Sequence, residues 1–409
     1  MVVFLLVLVV VLALLGTVHW YVWRRLVRDV TAPGGLPRRL GTAAVVALPL
    51  LSIAALVSSR AGAPFALQQA VAWPGFLWLA VLLYLVLALL AGEAVRPLLH
   101  AWLRRRAAEP VAAPVPVPTS VTAAAEQPEP AALGPSRRLF VSRVVAGSAA
   151  AVAVGTVGYG TYGVLRGPRV KRVTVPLAKI PRAAHGYRIA VVSDIHLGPI
   201  LGRAHTQRIV DSINAAQPDL IAVVGDLVDG TVENLGPAAE PLARLRARHG
   251  SFFVTGNHEY FSGADAWVDH VRELGLHPLR NARVEIPAGF DLAGVDDVAG
   301  ESEGRGPDFG RALGDRDRAR AAVLLAHQPI VIHDAVRHGV DLQLSGHTHG
   351  GQLWPGNYLA ELANPTVAGL ERYGDTQLYV SRGAGAWGPP VRVGAPSDIT
   401  IVELASKQA

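Results

Sequence analysis

Three stretches near the amino terminus carry almost no polar residue: 2–23, about 41–58 and about 72–91. Each approaches the ~20 residues a helix needs to cross the hydrocarbon of a bilayer, so each predicts a spanning helix. Trp20, Tyr21 and Trp23 close the first run with amphipathic rings that suit the headgroup level. A weaker apolar run, about Val144 to Leu165, is rich in Ala and Gly and predicts a fourth span. Beyond Val170 the pattern changes to short apolar runs alternating with polar stretches of helical spacing, the mark of layered sheets and helices. Buried strands are expected at Arg188 to Val192, Leu220 to Val224, Phe252 to Thr255, Val323 to Ala326 and Leu342 to Leu344, each ending at a polar motif. Phe290 to Val295, Leu378 to Ser381 and Ile399 to Leu404 add strands, while Thr206 to Ala216, Pro237 to His249 and Asp265 to Leu274 have helical spacing.

Proline divides the two regions. The segment 109–135 is built of Ala, Pro and Val and includes Pro110, Pro114, Pro116 and Pro118, a density that neither a helix nor a central strand tolerates. The expected organisation is therefore a membrane region at 1–108, a linker at 109–135, a fourth helix within 136–166 and a layered α/β domain at 170–409.

Charge sharpens this picture. Residues 1–166 hold 14 Arg against 5 Asp and Glu, whereas 167–409 hold 24 Lys and Arg against 27 Asp and Glu. The basic excess thus flanks the spans, and no basic stripe of the kind a nucleic-acid partner requires is expected on the second region. Arg24, Arg25, Arg28, Arg38 and Arg39 lie between the first two spans, Arg60 alone between the next two, and Arg96, Arg104, Arg105 and Arg106 after the third. By the positive-inside rule the amino terminus faces out, the linker lies inside, and the fourth span returns the chain outward. Ser136-Arg137-Arg138-Leu139-Phe140 before that span resembles a twin-arginine export signal. Adjacent arginines are also ordinary span flanks, but the serine and the phenylalanine favour the signal, which would make the export machinery a partner. With no cysteine, the chain has neither disulfides nor thiolate metal ligands.

The chemistry lies in five motifs along the second region: Asp194-Ile195-His196, Gly225-Asp226-Leu227-Val228-Asp229, Gly256-Asn257-His258-Glu259, His327 and Gly346-His347-Thr348-His349. Carboxylates, imidazoles and one amide oxygen are the donors that divalent Mn, Fe, Zn or Co prefer. Two such ions some 3.5–4 Å apart clamp a phosphoryl group during in-line displacement. Any one motif alone is more often a turn or a pair of surface imidazoles; five in order at strand ends are not. The remaining histidines, 185, 205, 249, 270, 277, 333 and 338, are read as surface or capping residues, and Gly383 and Gly385 as a tight turn.

From about Arg188 onward the chain resembles the calcineurin-like metallophosphoesterases. Gly350-Gly351-Gln352 and Ser381-Arg382-Gly383-Ala384-Gly385 are further similar to the membrane-associated, twin-arginine-exported members, which usually carry Pro-Glu where this chain has Pro396-Ser397-Asp398. The resemblance implies an αββα sandwich with two divalent metals. Asp194, His196, Asp226 and His349 would hold one ion; Asp226, Asn257, His327 and His347 would hold the other, with Asp226 bridging. A hydroxide shared by the ions would be the nucleophile. His258 would be catalytic, contacting the scissile phosphate and protonating the leaving oxygen, with Asp229 and Glu259 orienting ligand histidines.

The expected activity is hydrolysis of phosphate mono- or diesters at a membrane. A lipid-linked pyrophosphatase and a non-catalytic metal-binding membrane sensor are the alternatives. Partners would be a phosphate-ester substrate, lipid-linked or not, and membrane lipid. Specificity belongs to loops such as Leu353 to Asp375, where Trp354, Tyr358 and Tyr373 either face lipid or a ring or, the favoured reading, pack the loop.

Overall fold

The computed structural model describes residues 2–107 and 137–407; the expected linker and Ser136 of the arginine motif lie outside the described residues. Four long helices open the chain: α1 Val2–Trp23, α2 Leu36–Ser58, α3 Phe65–Ala107 and α4 Arg137–Leu165. Segments Leu5–Arg28, Leu36–Ser58, Phe65–Arg105 and Arg137–Leu165 are long and apolar enough to cross a membrane. The 43 residues of α3 exceed the expected 72–91. At ~1.5 Å per residue it measures about 65 Å, twice a bilayer's ~30 Å of hydrocarbon, so its polar ends can lie beyond the lipid.

Chain contacts divide the molecule into two compact units, Met1–Leu50 with Val81–Thr156 and Leu51–Ala80 with Val157–Ala409. The first holds the paired arginines: Arg25 bridges Asp29 and Glu93, Arg96 also meets Glu93, and Arg143 donates to the Val30 carbonyl. The second joins the tip of the α2–α3 hairpin to the sheet domain.

That domain contains strands β1 Arg169–Leu177, β2 Tyr187–Val192, β3 Leu220–Val224, β4 Ser251–Val254, β5 His277–Pro278, β6 Ala282–Ile286, β7 Phe290–Gly294, β8 Ala321–Leu325, β9 Leu342–Ser345, β10 Gly369–Tyr373, β11 Thr376–Val380 and β12 Asp398–Ser406. They form two mixed six-stranded sheets, ordered β1-β12-β2-β3-β4-β5 and β10-β11-β9-β8-β7-β6. Period-two alternation builds the layers, because successive side chains leave opposite faces. Ile189, Val191, Ala222 and Val224 of the first sheet share one core with Leu292, Val323, Leu325 and Leu342 of the second. Their neighbours Ala190, Val192, Ile221 and Val223 face instead the helices α5 Arg203–Ala216, α6 Val232–Ala239 and α8 Ala264–Glu273, through Ile209, Leu235 and Trp267. On the far side, Ala322 and Leu324 meet Phe309 and Ile332. The result is helix, sheet, sheet, helix.

Two local expectations differ from the structure. The helix expected over Pro237 to His249 is α6 followed by a 3₁₀ turn, Glu240–Arg244. Pro241 has no N–H and its ring would strike the carbonyl four residues back, so the α-helix cannot pass it. Strands β1, β6 and β10 escaped the hydrophobic pattern because most of their residues are solvated; β1, with Arg169, Lys171 and Arg172, is an edge strand lying parallel to β12.

Candidate metal centre

The carboxyl ends of β2, β3 and β4 in one sheet and of β8 and β9 in the other converge, and the five motifs sit in the turns that follow them. Asp194 and His196 follow β2, Asp226 and Asp229 follow β3, Asn257 and His258 open α7 (Asn257–Ser262) after β4, His327 follows β8, and His347 and His349 follow β9. These turns are tightly bent. Asp194, His196, Asp226, His347 and His349 all have positive φ, five of the eight described non-glycine residues that do. Such backbone costs of order 1 kcal/mol or more per residue and persists where surrounding structure imposes it, most often at functional sites. Gly346 shows how tight the packing is: a Cβ there would overlap Ser193 Oγ and Asp194 Oδ2.

Backbone donors hold the carboxylates. The His347 N–H donates to Asp194 at 3.0 and 3.1 Å, and the His258 N–H donates to Asp226 Oδ1 at 2.9 Å. The carboxylates and imidazoles then fall into three overlapping groups: Asp194, His196 and His349; His196, Asp226 and His258; Asp226, His327 and His347. In each group the potential ligand atoms lie within 4.8 Å of one another. Asp226 and His196 each belong to two groups, and Asn257 Oδ1 lies 3.0 Å from His347 Nδ1. All seven candidate ligands and His258 are thus in one place.

The donor set fits cations. His327 Nδ1 donates to the Val224 carbonyl at 2.9 Å, which leaves Nε2 buried and without a hydrogen-bond partner, 3.1 Å from Asp226 Oδ2. That nitrogen and the carboxylate face each other across a gap that positive charge, a proton or a cation, must fill. Titration carries the same message. Burial disfavours an imidazolium at His196, yet Asp229, Asp226 and Asp194 raise it to about 9. Burial likewise opposes charge at His327, and Asp226 with Asp194 and Asp297 still lifts it well above its ordinary value. His347 is lowered to about 4 by burial and by His327, and His349 is held well below its usual range by burial and Arg392, so both are neutral, whereas a cation would have to displace the protons that the carboxylates draw onto His196 and His327.

Around this centre, Asp229 Oδ1 takes 2.9 Å to His196 Nδ1 and 2.6 Å to His258 Nδ1, fixing one candidate ligand and the candidate proton donor through one oxygen. The rings of Phe261 and Trp387 stand edge-on to His258 at 5.7 and 5.8 Å. Glu259 departs from expectation. It orients no histidine but accepts the backbone N–H groups of Asp226, Leu227 and Gly256, tying the β3 and β4 turns together. Asp398 accepts from Ser381 Oγ, and its N–H reaches the Gly383 carbonyl, closing the Ser381–Gly385 turn over Asp194.

Sequence reasoning missed Arg392. Fully buried, it donates to the carbonyls of Gly385, His349, Arg382 and Ala395 and lies 3.1 Å from His349 Nδ1; burial lowers its guanidinium to about 10. It stands far from every motif, and the only signal was a cation amid Gly, Pro and Val. His205 is also no surface residue: it is buried in α5 and lowered to about 4 by burial and by Arg208.

Residues 187–351 match the family model described as Calcineurin-like phosphoesterase. The chain is 35% identical over 243 residues to a metallophosphoesterase of Aquifex aeolicus, covering 58% of this chain and 92% of that relative. It is 38% identical over 251 residues to a metallophosphoesterase of Helicobacter pylori strain J99, covering 61% and 67%. A Danio rerio protein named "Transmembrane protein with metallophosphoesterase domain" is 39% identical over 264 residues, 61% of this chain and 60% of its own length. The chain therefore spans only about three fifths of that last protein. With its sheets, its site and its sequence all pointing the same way, the chain belongs to the calcineurin-like metallophosphoesterases.

Proposed function

We propose that the chain is a membrane-anchored, two-metal phosphoesterase that hydrolyses phosphate mono- or diesters. The observation that carries this reading is the convergence of Asp194, His196, Asn257, His327, His347 and His349 on the buried carboxylate of Asp226. Asp194, His196, Asp226 and His349 would hold one divalent ion, and Asp226, Asn257, His327 and His347 the other. Such ions neutralise charge on the phosphate oxygens and lower the pKa of a water. The protein does the rest. Asp226 would be shared by both ions, Arg392 anchors the loop bearing His349, and Asp229 holds the His258 ring through Nδ1, leaving its other nitrogen to protonate the leaving oxygen. A sensor without catalysis would not require His258, which is placed and oriented beside the donors.

The four apolar helices would anchor the domain in lipid. Arginine placement and the Arg137-Arg138 pair support a sheet domain outside the membrane that the twin-arginine machinery would deliver, and the proposed parts are 1–108, 109–135, 136–166 and 170–409. The purified full chain with Mn tests the activity against phosphomonoesters, phosphodiesters and lipid pyrophosphates. Hydrolysis of a mono- or diester, lost in Asp226→Asn, is expected; turnover of pyrophosphates alone, or of nothing, overturns the reading.

A further inference from the structure

We propose that the leaving group of the substrate is a lipid, whose acyl chain enters a cavity between the metal centre and the tip of the α2–α3 hairpin. This rests on the phosphoesterase reading above and assigns that site its substrate class. The cavity has a volume of about 480 Å³, within the ~300–1,000 Å³ of small-molecule sites. His196, Asp229 and His258 line one end. Ala55 and Leu56 of α2 with Phe76 and Leu79 of α3 line the other, and every lining residue belongs to the same compact unit. Those four residues lie on segments apolar enough to cross a membrane, so one cavity is lined both by the reacting groups and by side chains of spanning segments.

The hairpin tip is built into the domain. Gly75 lets α3 approach α2 so closely that a Cβ there would stand 2.5 Å from the Leu51 carbonyl, and Ser52 Oγ donates to the Gly75 carbonyl at 2.7 Å. Phe65 packs on the helix-side core of the first sheet, and the Phe76 ring lies 3.7 Å from where a Cβ on Gly388 would stand. A water-soluble ester would leave these apolar walls in contact with water; an acyl chain would cover them.

The exposed surface of the domain matches. No residue of the helix α11, Gly356–Ala363, is buried, and Tyr358, Leu359 and Leu362 on it are exposed, as are Trp354 before it, Trp387 and Phe261. Of the two sequence readings for Trp354 and Tyr358, packing the loop or facing lipid, their exposure favours the second. Amphipathic rings with exposed leucines suit a bilayer interface. The Gln352 side chain donates to the Trp387 carbonyl and accepts from its N–H, which ties this region to the cavity wall. Arg60 stands at the cavity rim and pairs with no carboxylate among the described residues, leaving its charge for a headgroup. In the reaction water adds to phosphorus, the P–O bond to the lipid breaks, and the lipid alcohol leaves with a proton from His258. The alcohol stays in the bilayer and phosphate departs to water.

The test uses the full chain in nanodiscs with Mn, comparing p-nitrophenyl phosphate with n-alkyl phosphates of four to twelve carbons kept below micelle formation. Each buried CH₂ is worth about 0.8 kcal/mol, so kcat/KM should climb about fourfold per carbon until the cavity fills. Leu79→Trp, which fills the cavity, and Leu56→Ser, which wets it, should each flatten that climb while metal content stays at the level of the unaltered protein. Equal kcat/KM at all lengths with nitrophenyl phosphate still cleaved, or a climb indifferent to both substitutions, overturns the lipid assignment and leaves the phosphoesterase standing. Cleavage of none of these monoesters while a phosphodiester is still hydrolysed overturns the lipid assignment alone, and hydrolysis of no ester of either kind overturns both.

Discussion

Asp229→Asn removes one charge that two imidazoles share. Its Oδ1 lies 2.9 Å from His196 Nδ1 and 2.6 Å from His258 Nδ1, so the change should weaken the proposed metal ligand and the proposed proton donor at once. A hydrogen bond to a charged group contributes about 1.5–3 kcal/mol, and an amide oxygen offers no full charge to either ring. Losing the carboxylate behind a ligand histidine typically costs ~10–100-fold in metal affinity. The rate at saturating metal should fall further, by roughly 10–10³, bounded by the ~10²–10⁴ that complete removal of a general acid costs. The assay is a cycle of Asp229→Asn, His258→Ala and the double variant, with metal affinity by competition against a chelating dye and kcat at saturating Mn. His258→Ala alone should keep its metals, and in that background Asp229→Asn should still cost affinity but almost no further rate. Metal affinity within twofold of the unaltered protein, or fully additive rate losses, would refute the shared-carboxylate argument.

Asp226→Asn should abolish turnover and weaken both ions, because it removes the charge common to both donor sets; two tightly held ions and a near-normal rate by metal analysis would contradict it. His205 gives a pH signature. Its folded value of about 4 lies below the ordinary 6.5, so the unfolded chain takes up the proton first and stability falls as pH drops from 6.5 to 4, by about 3 kcal/mol. In His205→Leu the melting temperature of the metal-free protein should fall less over that window; identical slopes would sink the assignment. The cysteine-free sequence allows topology to be read with single cysteines. Ser59→Cys and Asp375→Cys should both react with an impermeant maleimide on intact cells while Pro33→Cys stays protected, and the reverse pattern would place the domain in the cytoplasm.

The candidate ligands were legible because each hydrophobic strand ends in a short polar motif, whereas the continuous apolar runs of the strands did not tell the sheet–sheet face from the helix face. Glu259 was misread because adjacency to Asn257 and His258 says nothing of where a carboxylate turns; it turns to three backbone N–H groups. Arg392 was invisible, since its partners are carbonyls of residues made neighbours only by the fold. The edge strands β1, β6 and β10 lacked a pattern because solvent, not a core, faces most of their side chains. Nothing in the run 72–91 revealed that the tip of its hairpin belongs with the sheet domain, because hydropathy records that a helix is apolar and not what it packs against.

The two-metal claim is tested most directly by titrating the metal-depleted full chain with Mn and reading bound metal and phosphoester hydrolysis in the same samples. The account predicts no turnover without metal, two ions bound per chain at saturation, and activity that rises with the filling of both. Full activity in the depleted protein, or saturation of the rate with a single ion bound, would contradict it.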